Sequence, residues 1–389
     1  MFIRFSIFFL VIFDVLKAYI FTATPITQLL VLFPITLLGI FEAISKKSLI
    51  NFFNSPLLIW VFWILYALIN TFFINTFNPH RETNELVFIF SIVMCPIFVY
   101  LLCSEKLSTK TIINTLIFAL STRSIIALLF DQTGILGNDD FSRFGELFNA
   151  NTLALGALIN CILINMKRVF YNLKPIDFFF LILSVYILII TASVKSGLVF
   201  ILYLVVALSS HFLEKRRTGI GLQLIMTFLV LGLFFNYFIV DSSLYLRAVE
   251  KFTLTEVDNN QLFDRRAAHY ILGINIFWQN PIFGIGLRSF VSVTGNTSPL
   301  HSEYLSNLIE LGLIGIILFL LFYYKIIKTL LITAESLNDQ QSLFLHSLNL
   351  AVMALLFLGI WQYNNHLWWI LTALVIRYVM ANASRLKKI

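Results

Sequence analysis

Residues 311–331 read LGLIGIILFLLFYYKIIKTLL and contain no charged residue before Lys325. A helix needs about 20 apolar residues to cross the hydrocarbon core of a membrane, and this run has that length. Of the 389 residues in the chain, 59% are hydrophobic and 12% are charged. An ordinary globular protein has roughly a quarter of its residues charged, so this chain lacks the charge to cover a water-facing surface. The composition excludes soluble enzymes, disordered regulators and nucleic-acid-binding proteins, and it predicts an all-α polytopic membrane protein.

Apolar runs of this kind predict about twelve transmembrane helices. Irregular backbone in lipid would leave peptide groups unpaired, and each run is therefore predicted to be helical. A long outer segment, 241–304, separates the ninth span from the tenth, so the predicted topology divides into 1–240, 241–304 and 305–389. The predicted spans are 3–22, 25–44, 56–76, 86–103, 111–130, 152–166, 176–192, 197–213, 219–240, 311–331, 344–361 and 367–383.

The distribution of lysine and arginine predicts the side of the membrane that each loop faces. With the N-terminus inside, the inner segments hold 16 of the 27 lysines and arginines and the outer segments hold 8. Every inner segment is then basic. Cytoplasmic loops carry such an excess, and both termini are therefore predicted to be cytoplasmic. Five of the 8 outer cations lie within 241–304. Either this long loop crosses the membrane regardless of its charge, or its arginines bind an anionic ligand at the outer face.

The outer segment contains a predicted amphipathic helix, Gln261–Gln279, which Asn280-Pro281 ends. Such a helix can lie on the membrane surface with its apolar face toward the lipid. The following Gly284-Ile285-Gly286 predicts a flexible turn. The apolar stripe of the helix consists of Leu262, Phe263, Ala267, Tyr270, Ile271, Ile274 and Phe277.

Three cations on the predicted outer side are candidates for binding phosphate. The guanidinium of Arg266 is a planar fork that suits two phosphate oxygens, although a surface arginine can instead pair with Asp264 or with lipid headgroups. Lys195 lies in a tight connection between two helices, where a lysine can also simply extend to the headgroups. Arg143 lies in a dense polar patch between the fifth and sixth spans. Together the three cations would suit a lipid pyrophosphate.

His301 lies at the mouth of the tenth span. Imidazole titrates near neutral pH and suits a general base, but a lone histidine at this position is more often a helix cap or a satisfied surface group. Gly312 and Gly315 follow, and small residues at this spacing predict close helix packing.

Four segments on the predicted outer side follow one another in a fixed order. They are Arg143-Phe-Gly145 with Asn149 and Asn151; Thr191-Ala-Ser193 with Lys195-Ser-Gly197; Arg266-Ala-Ala-His-Tyr270 with Gly273-Ile-Asn-Ile-Phe277, Pro281 and Gly284-Ile-Gly286; and His301-Ser302, nine residues, then Gly312-Leu-Ile-Gly315. Their order and spacing resemble the bacterial O-antigen ligase and polymerase family over about 143–315.

The resemblance implies a glycosyltransferase of the GT-C type in the inner membrane, with its active site at the periplasmic face. The donor is then a glycan on undecaprenyl pyrophosphate. A ligase transfers this glycan to a sugar hydroxyl of the lipid A core, and a polymerase transfers it to the next lipid-linked repeat unit. The resemblance further implies inversion at the anomeric carbon, with neither a metal nor a cofactor. The expected partners are these two substrates and membrane lipid.

The resemblance also implies roles for individual residues. Arg266 stabilises the charge on the leaving pyrophosphate, and His301 accepts the proton of the acceptor hydroxyl. Lys195 departs from the family pattern, which has an arginine one residue earlier. The further pyrophosphate-binding candidates are Arg143, Lys195 and Arg265, the supporting residues are Ser302, Glu303, Gly312 and Gly315, and the alternative bases are Glu303, Asp139 and Asp140.

The leading hypothesis is an O-antigen ligase, because the spacing from His301 to Gly312 and Gly315 favours it. An O-antigen or capsule polymerase shares the same fold and motifs and is the close alternative. A lipid-linked glycan flippase is an alternative of a different class, and it should carry charges along a buried path through both halves of the protein. The charges clearly inside predicted spans are Asp14, Lys17, Arg123 and Arg377.

Overall fold

The structure is a computed structural model. Its described residues are 1–19, 25–44, 57–75, 97–130, 150–191, 193–213, 259–287, 289–295, 300, 302–335, 339–357 and 366–386. Regular secondary structure in this part of the chain is exclusively helical, which confirms the predicted all-α class.

The helices of the described part are named in chain order, and a further helical segment covers 97–102. They are α1 (Phe2–Tyr19), α2 (Pro25–Ile44), α3 (Leu57–Asn75), α4 (Thr109–Phe130), α5 (Ala150–Phe170), α6 (Pro175–Ile190), α7 (Val194–Leu213), α8 (Asn259–Gln279), α9 (Ser289–Thr294), α10 (Glu303–Glu335), α11 (Asp339–Phe357) and α12 (His366–Leu386).

The helices agree closely with the apolar runs of the sequence. Each predicted span overlaps a helix except 219–240, which lies outside the described residues. The amphipathic helix predicted over Gln261–Gln279 is α8, and it ends at Gln279 as predicted. Among the described helices, α4, α5 and α10 are long and apolar enough to cross a membrane. The count of twelve spans and the GT-C architecture stay predictions.

The chain forms two compact units, each assembled from segments that are distant in sequence. The first unit contains 1–23, 105–253 and 330–360, and the second contains 24–104, 254–329 and 361–389. The boundaries predicted after 240 and after 304 describe membrane topology, and they stay a prediction.

The first unit is built around α5, whose side chains are buried along most of its length. The rings of Phe8 on α1 and Phe118 on α4 stack with centroids 5.6 Å apart. At the connection from α5 to α6, Lys167 Nζ lies 2.8 Å from Asp177 Oδ1, and both side chains are buried. The second oxygen of Asp177 accepts a hydrogen bond from the backbone N–H of Lys174. This carboxylate therefore joins the end of α5 to the start of α6.

The second unit has an aromatic core between α3, α10 and α12. Trp60 is fully buried and its ring lies 4.5 Å from that of Trp63, 5.0 Å from Phe322 and 4.7 Å from Trp369. On α12, Arg377 donates through Nη1 to the carbonyls that end the segment 97–102 and follow it, those of Leu102 and Ser104. A cation at the C-terminal end of a helix satisfies carbonyls that have no partner in the helix itself.

The helix α10 is broken at Gly312, where φ is 65° and ψ is −165°. The rings of Tyr304 and Phe319 lie 5.8 Å apart. In a straight helix these 15 residues would separate the two Cα atoms by about 22 Å, which is too far for their rings to touch. The first arm, 303–311, therefore folds back along the second arm, 313–335. The sequence predicted a span that begins at 311, and the structure corrects this by starting the helix at Glu303.

This reversal predicts a specific cross-link. In a variant with Cys95, Cys103 and Cys161 replaced by alanine, the pair Tyr304→Cys and Phe319→Cys should react with a bifunctional thiol reagent much shorter than the roughly 22 Å of a straight helix. The product is detected as a mass shift in the peptide that contains both cysteines. The matched control, Phe319→Cys with Ile332→Cys, has a spacing of about 20 Å within the second arm and should not cross-link. Equal reaction of both pairs would contradict the reversal.

Candidate functional site

The segment 280–287, which follows α8, is turned by glycines and becomes buried from Gly284 onward. The N–H of Gly284 donates to the carbonyl of Asn280, at 2.9 Å. Gly284 and Gly286 have φ values of 70° and 93°, a region that residues with a Cβ atom rarely occupy. Residues 284–287 are all buried. The sequence predicted a flexible turn here, whereas the structure has a buried segment whose path is set by hydrogen bonds.

This segment exchanges backbone hydrogen bonds with the break in α10. In a continuous helix the N–H groups of Leu313 and Ile314 would donate to the carbonyls of Ile309 and Glu310. Gly312 interrupts that ladder, and the segment 280–287 supplies the missing partners on both sides. The four bonds are Ile285 N–H to Ile309 O (3.2 Å), Gly286 N–H to Glu310 O (2.8 Å), Leu313 N–H to Pro281 O (2.9 Å) and Ile314 N–H to Ile282 O (3.5 Å). We call 280–287 together with 309–315 the glycine junction.

The glycine junction requires glycine at two positions because the two backbones touch. A Cβ atom on Gly312 would overlap the carbonyl oxygen of Ile282, and one on Gly284 would lie 2.5 Å from the carbonyl carbon of Glu310. The φ and ψ of Gly312 also fall in a region that is essentially restricted to glycine. The close approach predicted for Gly312 is therefore present, but its partner is the backbone of a loop rather than a second helix. Gly315 packs against the side chain of Leu311.

One face of α3 presents polar side chains to the glycine junction and to the first arm of α10. None of these residues was predicted from the sequence, although polar groups at helical spacing in an otherwise apolar span were a usable signal. We call Trp63, Tyr66, Asn70 and Thr71 the α3 polar stripe. Its hydrogen bonds are Trp63 Nε1 to Asn307 Oδ1 (3.0 Å), Tyr66 Oη to Leu311 O (2.8 Å), Asn70 Nδ2 to Phe283 O (2.6 Å) and Leu287 N–H to Thr71 Oγ1 (3.0 Å).

The chain on either side of His301 is held against α8. His301 itself lies outside the described residues. Leu300 and Ile309 are buried in one cluster with Ile276, Phe277, Ile285 and Phe290. A Cβ atom on Gly273 would overlap Ile309 Cδ1 and lie 3.6 Å from Leu300 Cδ2, so α8 makes its closest approach at Gly273. Ser302 caps the first arm by accepting the N–H of Leu305 at 3.4 Å.

The predicted arginines lie on α8, two turns before Gly273. Arg265 and Arg266 are helical, and their side chains lie outside the described part of the structure. Position 266 precedes Gly273 by seven residues, a spacing that returns to nearly the same face of an α-helix. The helix that carries Arg266 therefore packs directly against the residues that flank His301.

The apolar stripe predicted for α8 is divided between two faces. Phe277 is buried and Tyr270 is partly buried against the cluster around Leu300. Ile271 is 62% exposed, and Trp278, which was not assigned to the stripe, is 71% exposed. One face of α8 therefore packs against other residues of the second unit. A second apolar face is uncovered within the described residues.

The earlier motif segments meet within the first unit. The tight connection predicted between two helices is present, since α6 ends at Ile190 and α7 begins at Val194. Ser193 Oγ donates to Asn151 Oδ1 at 3.2 Å and lies 3.3 Å from Ser196 Oγ. Lys195 is exposed in the first turn of α7. Arg143, Asp139 and Asp140 lie outside the described residues, so the predicted convergence of Arg143, Lys195, Arg266 and His301 stays a prediction.

A buried arginine lies beside the Asn151 end of α5. Arg123 Nη1 donates to the carbonyl of Thr152 at 3.3 Å, and a Cβ atom on Gly156 would overlap that same nitrogen. Gly156 therefore makes room for the guanidinium between α4 and α5. One turn further along α5, Asn160 donates to Ser121 Oγ and Ser184 Oγ, at 3.0 and 2.9 Å. The polar side chains of this helix interface thus bond to one another across three helices.

Comparison with known families gives one match. The family model described as O-antigen ligase matches residues 179–320. The match supports a relation of this stretch to the O-antigen ligase and polymerase family. A comparison with curated proteins gives no match. The match and the apolar helices together indicate an integral membrane protein related to glycosyl-transferring ligases and polymerases.

The O-antigen ligase match includes most of the candidate residues and the whole glycine junction. Arg143 lies before it, and the α3 polar stripe is also outside it. The stripe therefore connects a part of the chain outside the match to the C-terminal part of the matched region. The candidate residues inside the match are Lys195, Arg265, Arg266, His301, Ser302, Glu303, Gly312 and Gly315.

The backbone contact at Gly312 predicts a large loss of stability on substitution. Gly312→Ala introduces both an unfavourable φ and a clash with Ile282 O, and we expect a cost of about 3 kcal/mol or more. Gly295→Ala is the matched control, because Gly295 has a φ of 67° but nothing within 4 Å of its Cβ position. Strain alone should cost that variant about 1–2 kcal/mol. Thermal unfolding in detergent should rank them accordingly, and equal melting temperatures would refute the argued contact.

Proposed function

We propose that this protein is an O-antigen ligase that transfers a glycan from undecaprenyl pyrophosphate to a sugar hydroxyl of the lipid A core. The observation that carries the proposal is the family match over 179–320, which contains the segments of Arg266 and His301. The packing of Gly273 on α8 against Leu300 and Ile309 supports it, because both segments then lie in one compact unit. The enzyme acts in the bacterial inner membrane from its periplasmic face.

In the proposed reaction the acceptor hydroxyl oxygen attacks the anomeric carbon of the donor glycan. A glycosidic bond forms, the bond from that carbon to the pyrophosphate oxygen breaks, and undecaprenyl pyrophosphate leaves. Attack opposite the leaving group inverts the anomeric centre, and no metal or cofactor enters this scheme. The proton of the hydroxyl passes to His301, because an imidazole side chain is a common general base. Ser302 supports His301 by capping the first arm of α10.

The negative charge that develops on the leaving pyrophosphate needs fixed cations. Preorganised positive groups aimed at such charge usually contribute more to the rate than any other single effect in catalysis of this kind. Arg266 is assigned this role because its guanidinium holds two phosphate oxygens at once. Lys195 supplies a point charge at the exposed start of α7, where it replaces the arginine of the family pattern. Arg143 and Arg265 are the further donor-binding residues of the proposal.

The contacts of two cations inside the described helices support a transferase rather than a flippase. Arg123 and Arg377 both donate to backbone carbonyls of neighbouring helical segments. A flippase needs charges that face a substrate path through the membrane. Membrane lipid, in contrast, fits the exposed apolar face of α8 with Ile271 and Trp278.

The roles of His301 and Arg266 predict two inactive variants. His301→Ala and Arg266→Ala should each lower glycan transfer at least about 100-fold while the protein still inserts in the membrane. Arg266→Lys should also be severely impaired, because an ammonium cannot replace the bidentate fork. Transfer is measured as release of undecaprenyl pyrophosphate by purified protein. The matched controls are His346→Ala and Arg168→Ala, which remove exposed side chains of the first unit. Near-wild-type transfer by His301→Ala would remove the base assignment.

The choice of acceptor separates the ligase from the polymerase. Purified wild-type protein is given a lipid-linked glycan together with either lipid A core or a second lipid-linked repeat unit. We expect the glycan on lipid A core, with no elongated lipid-linked product. Elongation of the repeat unit would assign the protein to the polymerases, and absence of undecaprenyl pyrophosphate release with either acceptor would refute a transferase.

A further inference from the structure

The α3 polar stripe bonds to both halves of the glycine junction through two carbonyls. Tyr66 Oη donates to Leu311 O at 2.8 Å and lies 3.5 Å from Phe283 O. Asn70 Nδ2 donates to Phe283 O at 2.6 Å and to Tyr66 Oη at 3.0 Å. One hydroxyl and one amide thus connect the segment before Gly284 with the segment before Gly312.

One of these two carbonyls, that of Leu311, lies directly beside the break in α10. In a continuous helix the carbonyl of Leu311 would accept the N–H of Gly315, but the break at Gly312 redirects the chain between them. A backbone carbonyl left unpaired in a membrane interior costs several kcal/mol. The hydroxyl of Tyr66 therefore sets the direction in which the first arm of α10 leaves the junction. Asn70 sets the direction of the segment that leaves α8.

The first arm of α10, which follows His301 in the chain, and helix α8, which carries Arg266, both adjoin this junction. The first arm of α10 runs about 14 Å from Leu311 to Ser302, beside His301. Helix α8 runs about 20 Å from Gln279 to Arg266. A change of about 5° in the direction of the first arm would move its far end by about 1 Å, and a misplacement of about 1 Å can cost roughly 100-fold in rate. Bonds at the junction therefore act on the distance between His301 and Arg266.

We propose that Tyr66 and Asn70 are positioning residues for glycan transfer, which hold the first arm of α10 and helix α8 in the arrangement that the reaction needs. This inference rests on the proposed function, since it assigns the reaction to His301 and Arg266. In this proposal Tyr66 and Asn70 act through their bonds to the backbone of the glycine junction and not directly on the substrates.

The test compares Tyr66→Phe and Asn70→Leu with Tyr324→Phe. Tyr324 belongs to the same unit, is 58% exposed and provides a matched loss of one phenolic hydroxyl. For the first two variants we expect kcat for transfer to fall at least about tenfold. KM for the lipid-linked donor should stay within about twofold, because interactions lost only in the transition state lower kcat. Tyr324→Phe should match the wild type.

Hydrogen exchange supplies a readout that separates positioning from general loss of structure. In Tyr66→Phe, the peptide over 281–287 should exchange faster than in the wild type, and peptides from α4 and α5 should be unchanged. A wild-type kcat in Tyr66→Phe would overturn the inference. So would a loss of kcat without faster exchange at 281–287, or a loss proportional to the loss of folded protein.

Two further measurements make the test conclusive if the first variants do not fold or if the wild type is inactive. If Tyr66→Phe and Asn70→Leu are not recovered folded, Thr71→Val is measured in the same way, because Thr71 accepts the N–H of Leu287 in the same junction. The wild type is assayed in parallel for release of undecaprenyl pyrophosphate. A wild type without release refutes the proposed function, whereas an active wild type with fully active stripe variants refutes the positioning role alone.

Discussion

The requirement that every backbone polar group finds a partner away from water governs the second unit of this protein. A helix meets that requirement through its own hydrogen bonds, and α10 gives this up at Gly312. The segment 280–287 supplies partners for backbone groups beside the break, because it forms four backbone hydrogen bonds with residues on both sides of it. The close contact of two backbones explains why glycine occupies positions 284 and 312.

The rest of the second unit follows from this exchange. The α3 polar stripe donates to the carbonyls that the exchange leaves over, and Trp60 packs α3 against α10 and α12. The first arm of α10 can then fold back along the second, so that Leu300 reaches the face of α8 at Gly273. The glycine junction thus fixes the directions of two elements. One is the first arm of α10, which follows His301 in the chain, and the other is helix α8, which carries Arg266.

In the first unit, polar side chains rather than a broken helix form the hydrogen bonds that join neighbouring helices. Arg123 is accommodated by the missing side chain of Gly156 and donates to a carbonyl of the neighbouring helix. Asn160 bonds to serines on two other helices, and Ser193 joins the start of α7 to Asn151 on α5. Polar side chains inside these helices therefore bond the helices of this unit to one another, and one such bond joins Ser193 to Asn151.

The sequence by itself determined the helices, because helix formation in lipid depends on local hydrogen bonds and on the length of each apolar run. It also identified the segments 266–286 and 301–315, which the family match contains. The tertiary structure alone decided that α10 reverses at Gly312, that Gly284-Ile285-Gly286 is buried rather than flexible, and that Tyr66 bonds to Leu311. The last two residues are separated by 245 positions in the chain. The donor that pairs with a carbonyl beside a helix break is decided by the packing of such distant segments. Local sequence patterns therefore do not predict this pairing.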